Sequence, residues 1–255
     1  MTTAVQTVAD ALLQARRQNE TVDAAPLEAL LQSPEDAYAV QELVAQACGW
    51  AAQPVARCWK SGGPARGAAL THAPLPDAGV RASPAGLRDL PFHLRLIEAE
   101  VALRLARDVS AAEAAQLTHE AAPALVDAMT VSIEVVDTRW RQGRQAGALL
   151  KLADLQAHGA LALGEWVPFA PRDWARQTCS VQIGEAAPQV FQGTHSLQDP
   201  AWLLPIWLRH VTRHGATAPR GTVVTTGTWC GLLEAKAGDR VQVVFDGIGQ
   251  AQLQL

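Results

Sequence analysis

The sequence predicts an α+β fold: a mixed or rolled β-core preceded by an N-terminal helical segment. Three observations carry this. Residues 1–50 are rich in Ala and Leu at helical spacing. From residue 92 onward, stretches of β-branched and apolar residues alternate with polar ones. The C-terminus holds a hairpin signal, Asp246-Gly247-Ile248-Gly249, between two apolar runs. Helices first and strands afterwards is the α+β order. With 255 residues, 49% of them hydrophobic, the chain can bury a sizeable core. The expected division is a helical segment over 1–70 and a β-rich domain over 71–255.

Taken in order, residues 5–17 form the first predicted helix. Ser33-Pro34-Glu35-Asp36 opens the second, with Ser as N-cap, Pro at the first helical position and acids in the first turn. Val40, Leu43, Val44 and Ala47 then share one face, and Gly49 can end the helix. Residues 54–90 contain Gly62-Gly63-Pro64, Gly67, Pro74, Pro76, Gly79 and Pro84, and read as a long loop of functional or mobile character. Residues 93–105 alternate, with Ile97, Ala99, Val101 and Leu103 on one face of a strand. Ser110 and Glu113 form a capping box before an Ala-rich helix. Residues 130–136 are a β-branched strand, and a further strand is expected over 160–166. Residues 200–214 read as an amphipathic helix with Trp202, Leu203, Ile206 and Leu208 as its apolar side. Residues 222–228, 240–245 and 250–255 are the closing strands.

The net charge of -4, with no block of Lys or Arg, argues against a nucleic-acid surface. Cys48, Cys58, Cys179 and Cys230 contain no C-x-x-C pair and fit no zinc framework, so reduced thiols in a cytoplasmic protein are expected. No basic-then-apolar leader opens the sequence, and no run has the length of a membrane span.

The chemistry is expected at two acidic strands. On a strand, Glu98 and Glu100 project from the same face, roughly 6.6 Å apart along the chain. Carboxylates so placed and partly buried repel, so one is protonated or a cation lies between them. Oxygen ligands suit a hard divalent ion. A solvated strand face with one Glu in an ion pair is the alternative. In Ser132-Ile133-Glu134-Val135-Val136-Asp137, the carboxylate of Glu134 interrupts an apolar strand and needs a partner. Arg139 is the ordinary choice; a metal shared with Glu98 and Glu100 is the other.

Several segments, in the right order, resemble 2-keto-4-pentenoate hydratases of the fumarylacetoacetase superfamily. They are Ala37-Tyr-Ala-Val-Gln41, the Glu98-Ala-Glu100 segment, Ile133-Glu-Val-Val-Asp-Thr-Arg139, Thr226-Gly-Thr228, Lys236-Ala-Gly-Asp239 and Phe245-Asp-Gly-Ile-Gly249. The resemblance implies a fumarylacetoacetase-like catalytic domain over 71–255, with Glu98, Glu100 and Glu134 as ligands to magnesium or manganese. It implies that Lys60 lies beside a 2-keto acid substrate as an anchor or proton shuttle, and that Thr226, Gly227 and Thr228 meet the substrate carboxylate. Asp154 is a candidate to position a water or orient a donor, with a turn cap as the alternative. His93, His158 and His195 are not assigned to catalysis. The expected activity is hydration of a 2-hydroxy-2,4-dienoate in aromatic catabolism through a metal-stabilised enolate, in a homo-oligomer. Decarboxylation, acylpyruvate-type C–C hydrolysis and a silent ligand-binding scaffold are the alternatives. Departures from the family pattern fall at Ser61-Gly62-Gly63, Leu155 and Cys230.

Overall fold

Two capped helices begin the chain. The structure is a computed structural model that describes residues 3–50 and 53–255. The Thr3 hydroxyl accepts from Gln6 N and opens α1 (Ala4–Gln18), which Asn19 closes in the left-handed region. A reciprocal box between Ser33 and Asp36 opens α2 (Pro34–Ala47). After these come β1 (Cys58–Gly62), β2 (Thr71–Leu75), β3 (Val80–Ala82), β4 (Ala85–Gly86), β5 (Leu96–Leu105), α3 (Ala111–Gln116), β6 (Val126–Val136), α4 (Ala148–Ala153), β7 (His158–Leu163), β8 (Val167–Pro168), β9 (Thr178–Ile183), β10 (Gln189–Gln192), α5 (Leu204–Val211), β11 (Val223–Thr225), β12 (Leu233–Glu234), β13 (Arg240–Phe245) and β14 (Gly249–Gln254).

The strands form two sheets. The larger runs β2-β1-β11-β5-β6-β7-β3, with β12 added to β5 and β8 to β6. It is mixed, since β1 and β11 are parallel, as are β3 and β7. The smaller runs β10-β9-β13-β14-β4. Alternation explains how they meet. Ile97, Ala99, Val101 and Leu103 of β5 join Val131, Ile133 and Val135 of β6 in one core with Val241, Val243, Ala251 and Leu253 of the smaller sheet. The opposite face of β5 and β6 is therefore left to Glu98, Glu100, Ser132 and Glu134. A second core binds the N-terminal helices to the body: Val8, Leu12, Val40 and Val44 pack with Trp140, Leu150 and Leu152.

The α+β expectation holds, with corrections in detail. The long loop expected over 54–90 contains four short strands, and β1 lies inside the larger sheet. The division expected at residue 70 thus falls between β1 and β2, which pair with each other. Strands of two to five residues are too short to show a period, and their pairing comes from distant neighbours. Pro74 is accommodated because β2 is an edge. The 200–214 helix begins as a 3-10 turn, Pro200–Leu203; its buried side is Leu204, Trp207, Leu208 and Val211, with Trp202 and Ile206 half-buried. The strand expected over 222–228 is β11, which ends at Thr225, earlier than expected. Strands β9 and β10 lie outside the expected elements: Thr-Cys-Ser-Val-Gln-Ile alternates polar and apolar residues and is legible by period two, whereas Gln-Val-Phe-Gln is too short to show a period.

Candidate active site

Strand register builds the acidic cluster. Glu98 pairs directly with Glu134, and Glu100 with Ser132, so all three carboxylates rise from one face. One oxygen from each lies within 4.8 Å of the others. Ligands on opposite sides of a divalent cation stand roughly 4–5 Å apart, so one ion can bridge them. Glu100 and Glu134 are buried, and Glu98 is half-buried.

Each carboxylate is held differently. Glu100 Oε2 accepts from Gly227 N at 2.9 Å and from the Thr225 hydroxyl, which itself meets Ser132 Oγ at 2.8 Å. Glu134 Oε1 accepts from Lys60 Nζ at 2.6 Å and faces His158 Nδ1 at 3.0 Å. Its other oxygen, Oε2, is buried without a partner. That orphaned oxygen is the position a metal ligand requires, because a buried carboxylate oxygen left unpaired is costly. The three-carboxylate donor set fits magnesium or manganese and suits neither zinc nor copper centres built on His and Cys.

The electrostatics favour a cation among the three carboxylates. Burial pushes the Glu98 carboxyl up to about 8, helped by Glu100 and Glu134 and opposed by Lys60. Burial likewise pushes Glu100 up to about 7, with Glu134 adding to it. Burial also acts to raise Glu134, but Lys60 and His158 outweigh it and hold this carboxyl below its usual range. For Lys60, burial favours the neutral amine; the charges of Glu134, Glu98 and Glu100 prevail and keep the ammonium. His158 is pulled below its ordinary value by burial. Three carboxylates therefore face a single persistent cation.

The cluster opens on a cleft of about 1050 Å³, whose wall includes Lys60, Thr71, Leu94, Leu149, Gln156 and Trp229. The expected residues distribute unevenly around it. Glu98, Glu100 and Glu134 come together, and Lys60 joins them from β1. Gly227 and Thr228 line the cleft. Thr226 does not: its hydroxyl donates to Val101 O and its side chain is fully buried. Parity is the reason, since Thr225, one residue earlier, faces Glu100. The Gly227 N–H also serves Glu100, so it is not free for a substrate carboxylate. Asp154 lies outside the cleft lining. It is fully buried and accepts from Arg139 N (2.8 Å) and Nε (2.7 Å), Thr138 Oγ1 (2.9 Å) and Arg16 (3.0 Å). With its lone pairs so engaged, Asp154 cannot handle a substrate proton or water, and the catalytic role expected for it is withdrawn.

Three contributors were not expected from sequence. Thr225 could have been found by strand parity. His158 reaches Glu134 through a bulge: Val135 pairs with Ala160 but Val136 with His158, so Gly159 is the extra residue. The bulge turns His158 to the face of Glu134. Gln156 gives its carbonyl to Lys60 Nζ at 3.3 Å from a left-handed turn that nothing in the composition announces.

Comparison with known proteins places the chain. Residues 85–255 match the family described as fumarylacetoacetate (FAA) hydrolase C-terminal. The chain is similar to 4-oxalocrotonate decarboxylase from Pseudomonas putida G7, complexed with magnesium and adipate: TM-score 0.82, 16% identity, covering 98% of this chain and 96% of that one. It is also similar to 2-hydroxyhepta-2,4-diene-1,7-dioate isomerase from Mycobacterium marinum: TM-score 0.59, 17% identity, covering 78% and 74%. These likenesses establish the fold. No curated protein matches the chain. Among the described residues, no helix is long and apolar enough to cross a membrane.

Proposed function

The chain belongs to the fumarylacetoacetate hydrolase C-terminal family, and on that premise we propose that it is a magnesium- or manganese-dependent hydratase of a 2-keto-4-enoate, or its 2-hydroxy-2,4-dienoate tautomer. The observation that carries the proposal is the convergence of Glu98, Glu100 and Glu134, with Glu134 Oε2 buried and unpartnered. These three residues would hold the ion. When bound, it would act as a Lewis acid toward the 2-keto acid group and stabilise enolate charge.

The chain's own residues do the rest. Lys60 keeps its charge and stands where an anionic substrate group meets the cluster, so it can anchor that group or pass a proton at Nζ. Glu100 is fixed by Thr225 and Gly227, which orients one oxygen and leaves the other toward the cluster. His158 and Lys60 together fix Glu134. The apolar wall of Leu94, Leu149 and Trp229 excludes water from the hydrocarbon part of a substrate. Gly227 and Thr228 remain as the turn beside the substrate.

A second reading, decarboxylation of a keto dicarboxylate, is favoured by one feature. Arg144 and Lys151 line the same cleft and make no salt bridge among the described residues, so they can receive a second carboxylate. Homo-oligomeric assembly is part of the proposal; it is supported by Val190, 68% exposed on the edge strand β10, and light scattering tests it. The activity is tested by assaying magnesium-loaded protein on 2-keto-enoates, acylpyruvates and keto dicarboxylates. Water addition to a monocarboxylic enoate supports hydration; carbon dioxide release supports the second reading. No turnover of any class, from protein that binds magnesium, would count for a silent scaffold.

A further inference from the structure

Residues 155–157 are built in an unusual way. Leu155, Gln156 and Ala157 all adopt left-handed backbone, with φ of 53°, 54° and 57°, although none is glycine. Each such residue costs energy on the order of 1 kcal/mol, so the run persists only because its surroundings enforce it. The enforcement is visible. Ala157 N donates to Asp154 O at 3.0 Å, Asp137 N to Ala157 O at 2.8 Å, and His158 N to Leu155 O at 3.2 Å. Asp154 is in turn locked by Arg139, Thr138 and Arg16.

The result is a rigid platform for Gln156. Its carbonyl accepts from Lys60 Nζ, and its side chain lies in the cleft wall beside Thr71. Nε2 donates to the Thr71 hydroxyl, while Oε1 is buried and has no partner. A buried amide oxygen without a partner, on a strained turn, in the wall of the cleft that holds the carboxylates, points to a ligand group that completes it. A hydroxyl fits best. It both donates and accepts, so it satisfies the free end of the amide in either orientation of the Gln156 side chain.

We infer that Gln156 is a positioning and specificity residue whose amide holds the O–H group of the reaction: the attacking water in the hydration direction and the hydroxyl at carbon 4 in the product. The inference rests on the hydratase reading above. One group serves both directions because the oxygen of the water becomes the oxygen of that hydroxyl. In the forward sense the substrate first becomes the conjugated 2-keto-3-enoate, a proton arriving at carbon 5 as one leaves carbon 3 of the keto form or the enol oxygen of the dienoate. A C–O bond then forms at carbon 4 as the C3=C4 π bond breaks, one water proton is lost, and a proton is gained at carbon 3. Atoms balance without a further reactant. Asp154 acts at one remove, by holding the turn.

The test compares two probes on magnesium-loaded protein: 4-hydroxy-2-oxopentanoate and 2-oxopentanoate, which lacks only the hydroxyl. Calorimetry gives the ratio of their dissociation constants, and a ratio is insensitive to a fraction of unfolded protein. Native protein is expected to prefer the hydroxylated probe by about 10-fold or more, since a site built for a hydroxyl rejects the analogue without it. Gln156→Gly keeps the carbonyl for Lys60 and accepts positive φ without strain, and Gln156→Leu keeps volume. Both are expected to reduce the ratio to about 1, while affinity for 2-oxopentanoate stays within about 2-fold. Gln156→Asn tolerates the left-handed backbone and keeps an amide, so it is expected to retain part of the preference. A native ratio near 1, or a ratio unchanged in Gln156→Gly and Gln156→Leu, overturns the inference and leaves the hydratase reading standing. If native protein with magnesium binds neither probe, the hydratase reading fails and the inference with it.

Discussion

At the residue scale, the acidic cluster was legible because period-two geometry fixes which side chains share a face. Glu98 and Glu100 had to rise together, and Glu134 had to interrupt an apolar strand. The partners were less legible. His158 is turned toward Glu134 only by the one-residue bulge at Gly159, and a bulge has no composition signal of its own. The role expected for Asp154 failed because Arg16, 138 residues away in sequence, contributes to its saturation. Asp154→Asn is expected to cost about 3 kcal/mol in chemical denaturation, because Arg16 would lose its carboxylate and Arg139 would keep only the longer contact to Asp137, at 3.5 Å. A loss below about 1 kcal/mol would show that these contacts do not form as described. Glu100→Gln should behave in the opposite way. It removes one of three repelling carboxylates, so stability without metal stays level or rises, whereas turnover falls by orders of magnitude. Turnover that survives both this substitution and chelation would rule out the metal-based reading.

At the element scale, two junctions decide the shape of the cleft. The first is the bulge in β7. A Cβ on Gly159 would lie 2.7 Å from Val135 O and 2.9 Å from Asp137 Cβ, both on the neighbouring chain path. Gly159→Ala is therefore expected to cost about 1–3 kcal/mol by thermal or urea unfolding, as overpacking does, and to weaken magnesium binding by displacing His158 from Glu134. A variant as stable as the native chain would mean that the bulge is softer than its contacts imply. The second junction joins α5, α2, β1 and β2. His210 of α5 lies 4.3 Å (ring centroids) from Tyr38 and 4.6 Å from His72, with Trp59 at its edge; Arg213 faces Tyr38, and Ser61 Oγ meets His72 Nδ1. Burial, with Arg213 adding to it, lowers His72 to about 3; burial, then His72 and Arg213, lowers His210 to about 2. Both pKa values are depressed in the fold relative to 6.5, so the unfolded chain binds the extra protons. The stabilising contribution is present above pH 6.5 and is lost progressively as pH falls toward 3. Melting temperatures measured from pH 7 to pH 4 should fall, and fall less steeply in His210→Phe, which keeps a ring at that position. Equal slopes in the two proteins would contradict the assignment.

At the scale of the whole molecule, helices first and strands afterwards was enough to give the fold class. The arrangement of the sheets was not legible. Strand β1 brings Lys60 to Glu134, 74 residues away, by pairing with β11, which lies 165 positions beyond Lys60 at its partner Thr225. Such pairings come from the closure of the larger sheet rather than from any local pattern. The N-terminal helices are not a detachable appendage in this arrangement, since Gln41 of α2 donates to Leu152 O at 2.6 Å and Arg16 of α1 reaches Asp154. They brace the segment that leads into Gln156 and His158.

The central claim is that Glu98, Glu100 and Glu134 form one divalent-cation site. Isothermal titration of magnesium into native protein and into Glu134→Gln, with melting curves of both, tests it most directly. The account predicts one ion per chain for the native protein and at least a 10-fold weaker affinity for the folded variant. Stoichiometric binding that is the same in both, or no binding of magnesium or manganese by folded native protein, would contradict it.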